Sequence, residues 1–187
     1  MSCWPTTWKR VPELRERWAR ERALERVPVT LLDGREVSLS PGGQNPLLAA
    51  MVTEFCALFT PGGHVLYLGD AAGKWTVFEE EHLAQLGASV DKHGKMPDLV
   101  VFMPDAEWLV LLEAASSHGP VDQKRRDELE ALFSPTEIDL VFVSCFPTRE
   151  EMRRHLSVIA WETDAWCADS PTHLIYFDGE RLLSPYE

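Results

Sequence analysis

A chain of 187 residues, 45% hydrophobic and 26% charged, has enough apolar material for one packed domain and too much for a disordered chain. No apolar run reaches the roughly 18 to 20 residues that span a bilayer, and the N-terminus lacks the apolar stretch of a signal peptide, so the expected compartment is the cytoplasm. Net charge is −12 and uneven: residues 1–27 carry seven Lys/Arg against four Asp/Glu and the remaining 160 eleven against twenty-six, a balance that repels nucleic acid at long range.

Residues 8–26 alternate Arg and Glu at helical spacing around Leu14, Trp18 and Leu24. They predict a solvated helical extension over 1–27, ahead of a domain over 28–187. "VPVTLLDGREVSLSPGG" reads as a hairpin, with Asp33-Gly34 as a type I′ turn. "NPLLAAMVTEFCALFTPGG" predicts a helix with Asn45 at its cap, Pro46 in its first turn and Gly62-Gly63 past its end. Leu47, Met51, Phe55 and Leu58 form its buried stripe, and Glu54 points elsewhere. "HVLYLGD" is a strand, a short helix follows near 79–86, and residues 98–113 form a second hairpin. Then come a helix in "DQKRRDELEALF", a strand in "IDLVFVSCF", and a helix in "TREEMRRHLSVIAW" with a Thr148/Glu151 capping box. "ETDAWCADSPTHLIYFDG" closes the chain as two strands around Asp-Ser-Pro. This order predicts an α/β sandwich around a mixed central sheet flanked by helices. Cys56, Cys145 and Cys167 lie in apolar segments and read as reduced core residues.

The second hairpin carries the chemistry. Its turn "PDAE" centres between Asp105 and Ala106, with Asp105 itself serving the turn. Met103 then faces Trp108, Val101 faces Val110 and Leu99 faces Leu112. The same register sets Asp98 opposite Glu113, with Cβ atoms about 4.5 to 5.5 Å apart. Both strands are apolar on both faces, so these carboxylates sit at the end of a doubly buried pair of strands. They repel unless a cation stands between them. Mg²⁺, which prefers one or two carboxylates plus waters, meets that need. A salt bridge to Lys95 or Arg125 is the plainer alternative.

The runs "VSLSPGGQN", "HVLYLGD", "KMPDLVVF", "WLVLLEAASSHGPVDQKR", "LVFVSCFP" and "IAWETDAW" resemble the catalytic domain of the BsuBI/PstI-type restriction endonucleases, within the PD-(D/E)XK nuclease superfamily. The resemblance covers about residues 28–187. It implies a restriction-endonuclease-like sandwich and a Mg²⁺-dependent enzyme that hydrolyses double-stranded DNA as a homodimer. Asp98 matches the motif's aspartate and Glu113 its second acid, and both would bind metal. Glu54 matches a place where such nucleases sometimes carry a further metal-binding acid.

The superfamily lysine falls at Ala115, and a substitute is expected nearby. If Asp122 caps the following helix, Lys124, Arg125 and Arg126 fill its first turn. Cations there oppose the helix dipole unless an anion such as a phosphate approaches. Lys124 is the expected displaced catalytic lysine and Lys95 the alternative; an i,i+4 pair of Lys124 with Glu128 is the plain reading. His118, in the loop after the second acid, is a candidate catalytic residue, and Ser116, Ser117, Arg125 and Lys95 are candidate phosphate contacts. Asp70 ends the first strand at the same sheet edge, with Lys74 beyond it, and neither acquires a role.

Two features depart from the resemblance. The family's longer enzymes carry an N-terminal recognition region, which points to a separate DNA-recognition subunit as a partner. The loop "SPGGQN" has Gly43 and Gln44 where the family has basic residues and a histidine. A non-catalytic interaction protein on a decayed nuclease fold is the rival expectation, and a nuclease of RNA or single strands a third.

Overall fold

The computed structural model describes residues 25–72, 74–88, 95–116, 119–134 and 136–177. The predicted N-terminal helix therefore lies almost wholly outside the described residues, as do Ser117 and His118 and the side chain of Lys74. Among the described residues, β1 (Val27–Thr30) and β2 (Glu36–Leu39) form a hairpin. Helix α1 (45–59) follows, then β3 (His64–Asp70), β4 (Lys74–Phe78), α2 (Glu80–Gln85), β5 (Leu99–Met103) and β6 (Trp108–Ala114). The chain continues through α3 (Gln123–Phe133), β7 (Asp139–Phe146), α4 (Arg149–Arg153), β8 (Thr163–Cys167) and β9 (Leu174–Phe177).

Strands β3 to β9 make one mixed sheet in the order β4-β3-β5-β6-β7-β8-β9. β6, β7 and β8 run parallel, and the other neighbours pair antiparallel. Successive side chains on a strand face opposite ways, and both faces are covered. Leu99, Val101, Val110, Leu112, Val143 and Trp166 pack against α1 and the β1–β2 hairpin. Val100, Leu109, Leu111 and Phe142 pack against Leu83 of α2 and Leu129 and Phe133 of α3. Two-sided burial explains why β5 and β6 read as continuous apolar runs. No helix among the described residues is long and apolar enough to cross a membrane.

The β5–β6 register is the expected one: Met103 faces Trp108, Val101 faces Val110 and Leu99 faces Leu112. Other details differ. The β1–β2 connection spans residues 31–35, with Leu31 N–H donating to the Arg35 carbonyl, and only Gly34 has positive φ (84°). A type I′ turn needs positive φ at both central residues, so this is a longer loop. Asn45 does not cap α1; the N-cap is Gln44, and no side chain caps it. Met51–Phe55 forms a π-helical turn inside α1. A wider turn shifts the phase of the stripe, which is why Leu58 is 50% exposed while Cys56 and Thr60 are buried. β4 is an edge strand that no sequence signal announced. α4 stops at Arg153, well short of the predicted helix, although Thr148 Oγ1 does accept the Glu151 amide at 3.1 Å.

Candidate active site

Antiparallel pairing brings the start of β5, the end of β6 and the end of β3 to one edge of the sheet. Asp98 sits at that edge, just before β5. Its Oδ2 accepts the Ala114 amide at 2.8 Å, and its Oδ1 accepts the Gln44 side-chain amide at 2.6 Å. The Gly69 amide donates to the Asp98 carbonyl at 2.8 Å, and a Cβ on Gly69 would stand 3.4 Å from that oxygen.

Glu113 is 13% exposed at the side chain. Burial pushes its carboxyl up to about 7; Arg125 opposes the shift, while Asp98 adds to it by charge and as a hydrogen-bonding neighbour. The two acids thus interact as the register required. Burial, with a contribution from both acids, also raises the Tyr67 hydroxyl.

The cation against Glu113 is Arg125. Its Nε and Nη2 donate to Glu113 Oε1 at 2.8 and 2.6 Å, and Nη2 also reaches the Lys95 and Met96 carbonyls at 3.0 and 3.2 Å. Lys124, the expected substitute lysine, is 82% exposed, with its ammonium 3.7 Å from Glu128 Oε1. Helix geometry makes the choice. Asp122 caps α3 by accepting the Arg125 amide at 2.7 Å, so Arg125, Leu129 and Phe133 fall at i, i+4 and i+8 on the face that meets the sheet. Lys124 and Glu128 lie about 100° away, toward solvent. The buried stripe of Leu129 and Phe133 was the sequence signal for Arg125. Lys95 is also exposed, its ammonium 3.9 Å from Glu128 Oε2.

Glu54 is exposed on α1, on the side away from buried Met51 and Phe55. Among the described residues no three His, Cys, Asp or Glu side chains converge as a metal site, so Glu54 does not join the two acids. Ser116 is exposed in the turn after β6, and Ala115, where the superfamily lysine would stand, is buried at 1% exposure.

Asp70 is a structural hub. Its Oδ2 accepts Ser40 N and Oγ at 2.9 and 3.0 Å, and its Oδ1 accepts Asn45 Nδ2 and Ala72 N at 3.0 and 2.9 Å. Burial works to raise its pKa, but these donors hold it below the usual carboxylate range. A cavity of about 270 Å³ lined by Arg149, Ala165, Cys167, Ser170, His173, Leu174 and Ile175 shares no residue with the acidic pair.

The donor set at the edge is two carboxylates, with no thiol or imidazole among the described contacts. That chemistry fits a hard divalent cation such as Mg²⁺, which takes carboxylate oxygens and retains waters.

Comparison with known proteins gives a consistent result. Residues 27–180 match the family model described as the BsuBI/PstI restriction endonuclease domain. The chain is 47% identical over 172 residues to the type II restriction enzyme BsuBI of Bacillus subtilis, covering 92% of this chain and 54% of that one. It is 32% identical over 177 residues to the type II restriction enzyme AplI of Arthrospira platensis, covering 91% and 54%. The solved structure of SdaI restriction endonuclease superposes with a TM-score of 0.83 at 50% identity, covering 92% of this chain and 54% of that chain. The chain thus spans about half the length of the relatives it matches.

Proposed function

The chain belongs to the BsuBI/PstI restriction endonuclease domain family, and from that membership we propose that it is a Mg²⁺-dependent endonuclease of the type II restriction kind, hydrolysing phosphodiester bonds in DNA. The observation that carries this reading is the interacting pair of Asp98 and Glu113 at the sheet edge. In this reading residues 28–187 are the catalytic domain and 1–27 precede it. The protein works in the cytoplasm, acting on DNA as a homodimer.

Asp98 and Glu113 would hold the ion. When bound, Mg²⁺ supplies Lewis-acid polarisation of a phosphate and lowers the pKa of water. The chain's own groups prepare the place. The Ala114 amide and the Gln44 side chain hold the two Asp98 oxygens in place. Arg125 fixes Glu113 through one oxygen only, and its charge would serve in place of the superfamily lysine. Ser116, exposed in the turn beyond Glu113, would contact a phosphate. Ser117 and His118, from their sequence positions just after the second acid, would contact the phosphate, with His118 a candidate general acid.

Nicking of supercoiled plasmid tests the proposal. Wild type with Mg²⁺ should convert it to open-circle and linear forms, chelator should stop this, and Asp98→Ala and Glu113→Ala should each lose at least a hundredfold in rate. Equal behaviour of wild type and both variants would leave an interaction protein on a nuclease fold.

A further inference from the structure

The loop over residues 40–45 is clamped to the end of β3 more firmly than a connection requires. Asp70 accepts three hydrogen bonds from Ser40 and Asn45. Asn45, itself fully buried, also donates to the Ser40 carbonyl at 2.7 Å and accepts the Ala71 amide at 3.0 Å. Gly42 and Gly43 have φ of 78° and 60°, the left-handed region that glycine enters without penalty. A Cβ on Gly43 would stand 2.9 Å from Ala71 Cβ. The loop is thus pressed onto β3 at a point where only glycine fits.

Gln44 is the next residue, and this clamp aims it at Asp98. Its amide nitrogen donates to Asp98 Oδ1 at 2.6 Å. The reverse orientation would set two oxygens against each other, so the carboxylate itself fixes which end of the amide faces it. The other end is unaccounted for: Gln44 Oε1 is buried and has no hydrogen-bond partner among the described residues. A buried acceptor without a partner costs about 1–3 kcal/mol, and an apolar side chain of the same size would avoid that cost. Amide geometry keeps Oε1 about 2.3 Å from Nε2, hence within about 5 Å of the Asp98 carboxylate. The orphaned oxygen therefore sits close to Asp98. A neutral carbonyl oxygen is a hard donor of the kind that divalent magnesium and manganese accept.

We propose that Gln44 is a third oxygen donor of the cation site, its amide nitrogen orienting Asp98 while its amide oxygen serves the ion. The inference rests on the reading of Asp98 and Glu113 as metal-holding acids and extends it to a residue outside the motif. Asp70, Ser40 and Asn45 are then positioning residues that act through Gln44.

Calorimetric titration of the full chain with Mn²⁺, without DNA, separates the possibilities. Gln44→Leu should weaken Mn²⁺ about tenfold, while its melting temperature without metal reads relief of the orphaned oxygen against loss of the amide hydrogen bond to Asp98. Gln44→Met, unbranched and of similar length, repeats the test if Leu disturbs the loop. Gln44→Glu should keep or raise Mn²⁺ affinity, because it retains an oxygen, yet melt lower without metal, because another carboxylate then faces Asp98. The proposal is overturned if Gln44→Leu and Gln44→Met bind Mn²⁺ as wild type does. It is also overturned if Gln44→Glu loses affinity as they do, which would make Gln44 only a strut for Asp98. In both cases a wild type that binds Mn²⁺ and nicks DNA leaves the nuclease reading standing. A wild type that takes up no Mn²⁺ removes both.

Discussion

Glu113 and Arg125 form an ion pair whose side chains are only 13% and 18% exposed. Removing one partner of such a pair strands the other, so Arg125→Ala should cost about 3 kcal/mol. Lys124→Ala, at an 82% exposed site, should stay within about 0.5 kcal/mol. Thermal melts of the two variants check the assignment of the inward-facing cation, and plasmid nicking should follow the same order. Asp164 offers a second test. Burial alone pushes its carboxyl up to about 6 from 3.8. The folded chain then binds the Asp164 proton more tightly than the unfolded one, so this residue's contribution to stability falls as pH rises through about 4 to 6. Asp164→Asn should therefore melt higher at pH 8 by about 2 to 4 °C, allowing for screening at a partly exposed group. The gain should vanish near pH 4.

At the scale of the element, the β5–β6 hairpin was legible and α3 was only half so. The hairpin follows from two apolar runs around one short turn, where a slip by a single residue would reverse every side chain. For α3, sequence located the Asp122 cap. The direction of each cation in the first turn depends on which side of the helix meets the sheet, and that needed Leu129 and Phe133 to be read as its buried stripe. In α1 the π turn at Met51–Phe55 moved the stripe off Leu58, and no residue pattern announces such a turn. The Gln44–Asp98 contact spans 54 positions and depends on how the 40–45 loop lies on β3, which is tertiary information. That loop gives a prediction of its own. Asp70→Ala removes an acceptor of four hydrogen bonds, so it should cost about 2 to 4 kcal/mol, read as a fall in melting temperature. It should weaken Mn²⁺ binding as well, because Gln44 loses its support.

Across the whole molecule, a net charge of −12 is a poor general attractor for DNA. Most cations described here are also committed internally: Arg35, Lys95, Lys124, Arg125, Arg126, Arg153 and Arg154 each pair with a carboxylate. Binding strength then needs a contribution beyond these cations, such as the site's ion or a second copy. If two copies cut opposite strands, mixing wild type with an excess of Asp98→Ala should lower linear plasmid much more than open circle. A proportional fall in both products would show that single chains act independently.

The claim beneath all of these is that Asp98 and Glu113 share a divalent cation. Crystals soaked in Mn²⁺ test it directly. The account predicts an anomalous peak contacting oxygens of both carboxylates, absent in crystals of Asp98→Ala. No peak there, with the Arg125 guanidinium packed against both acids instead, would contradict it.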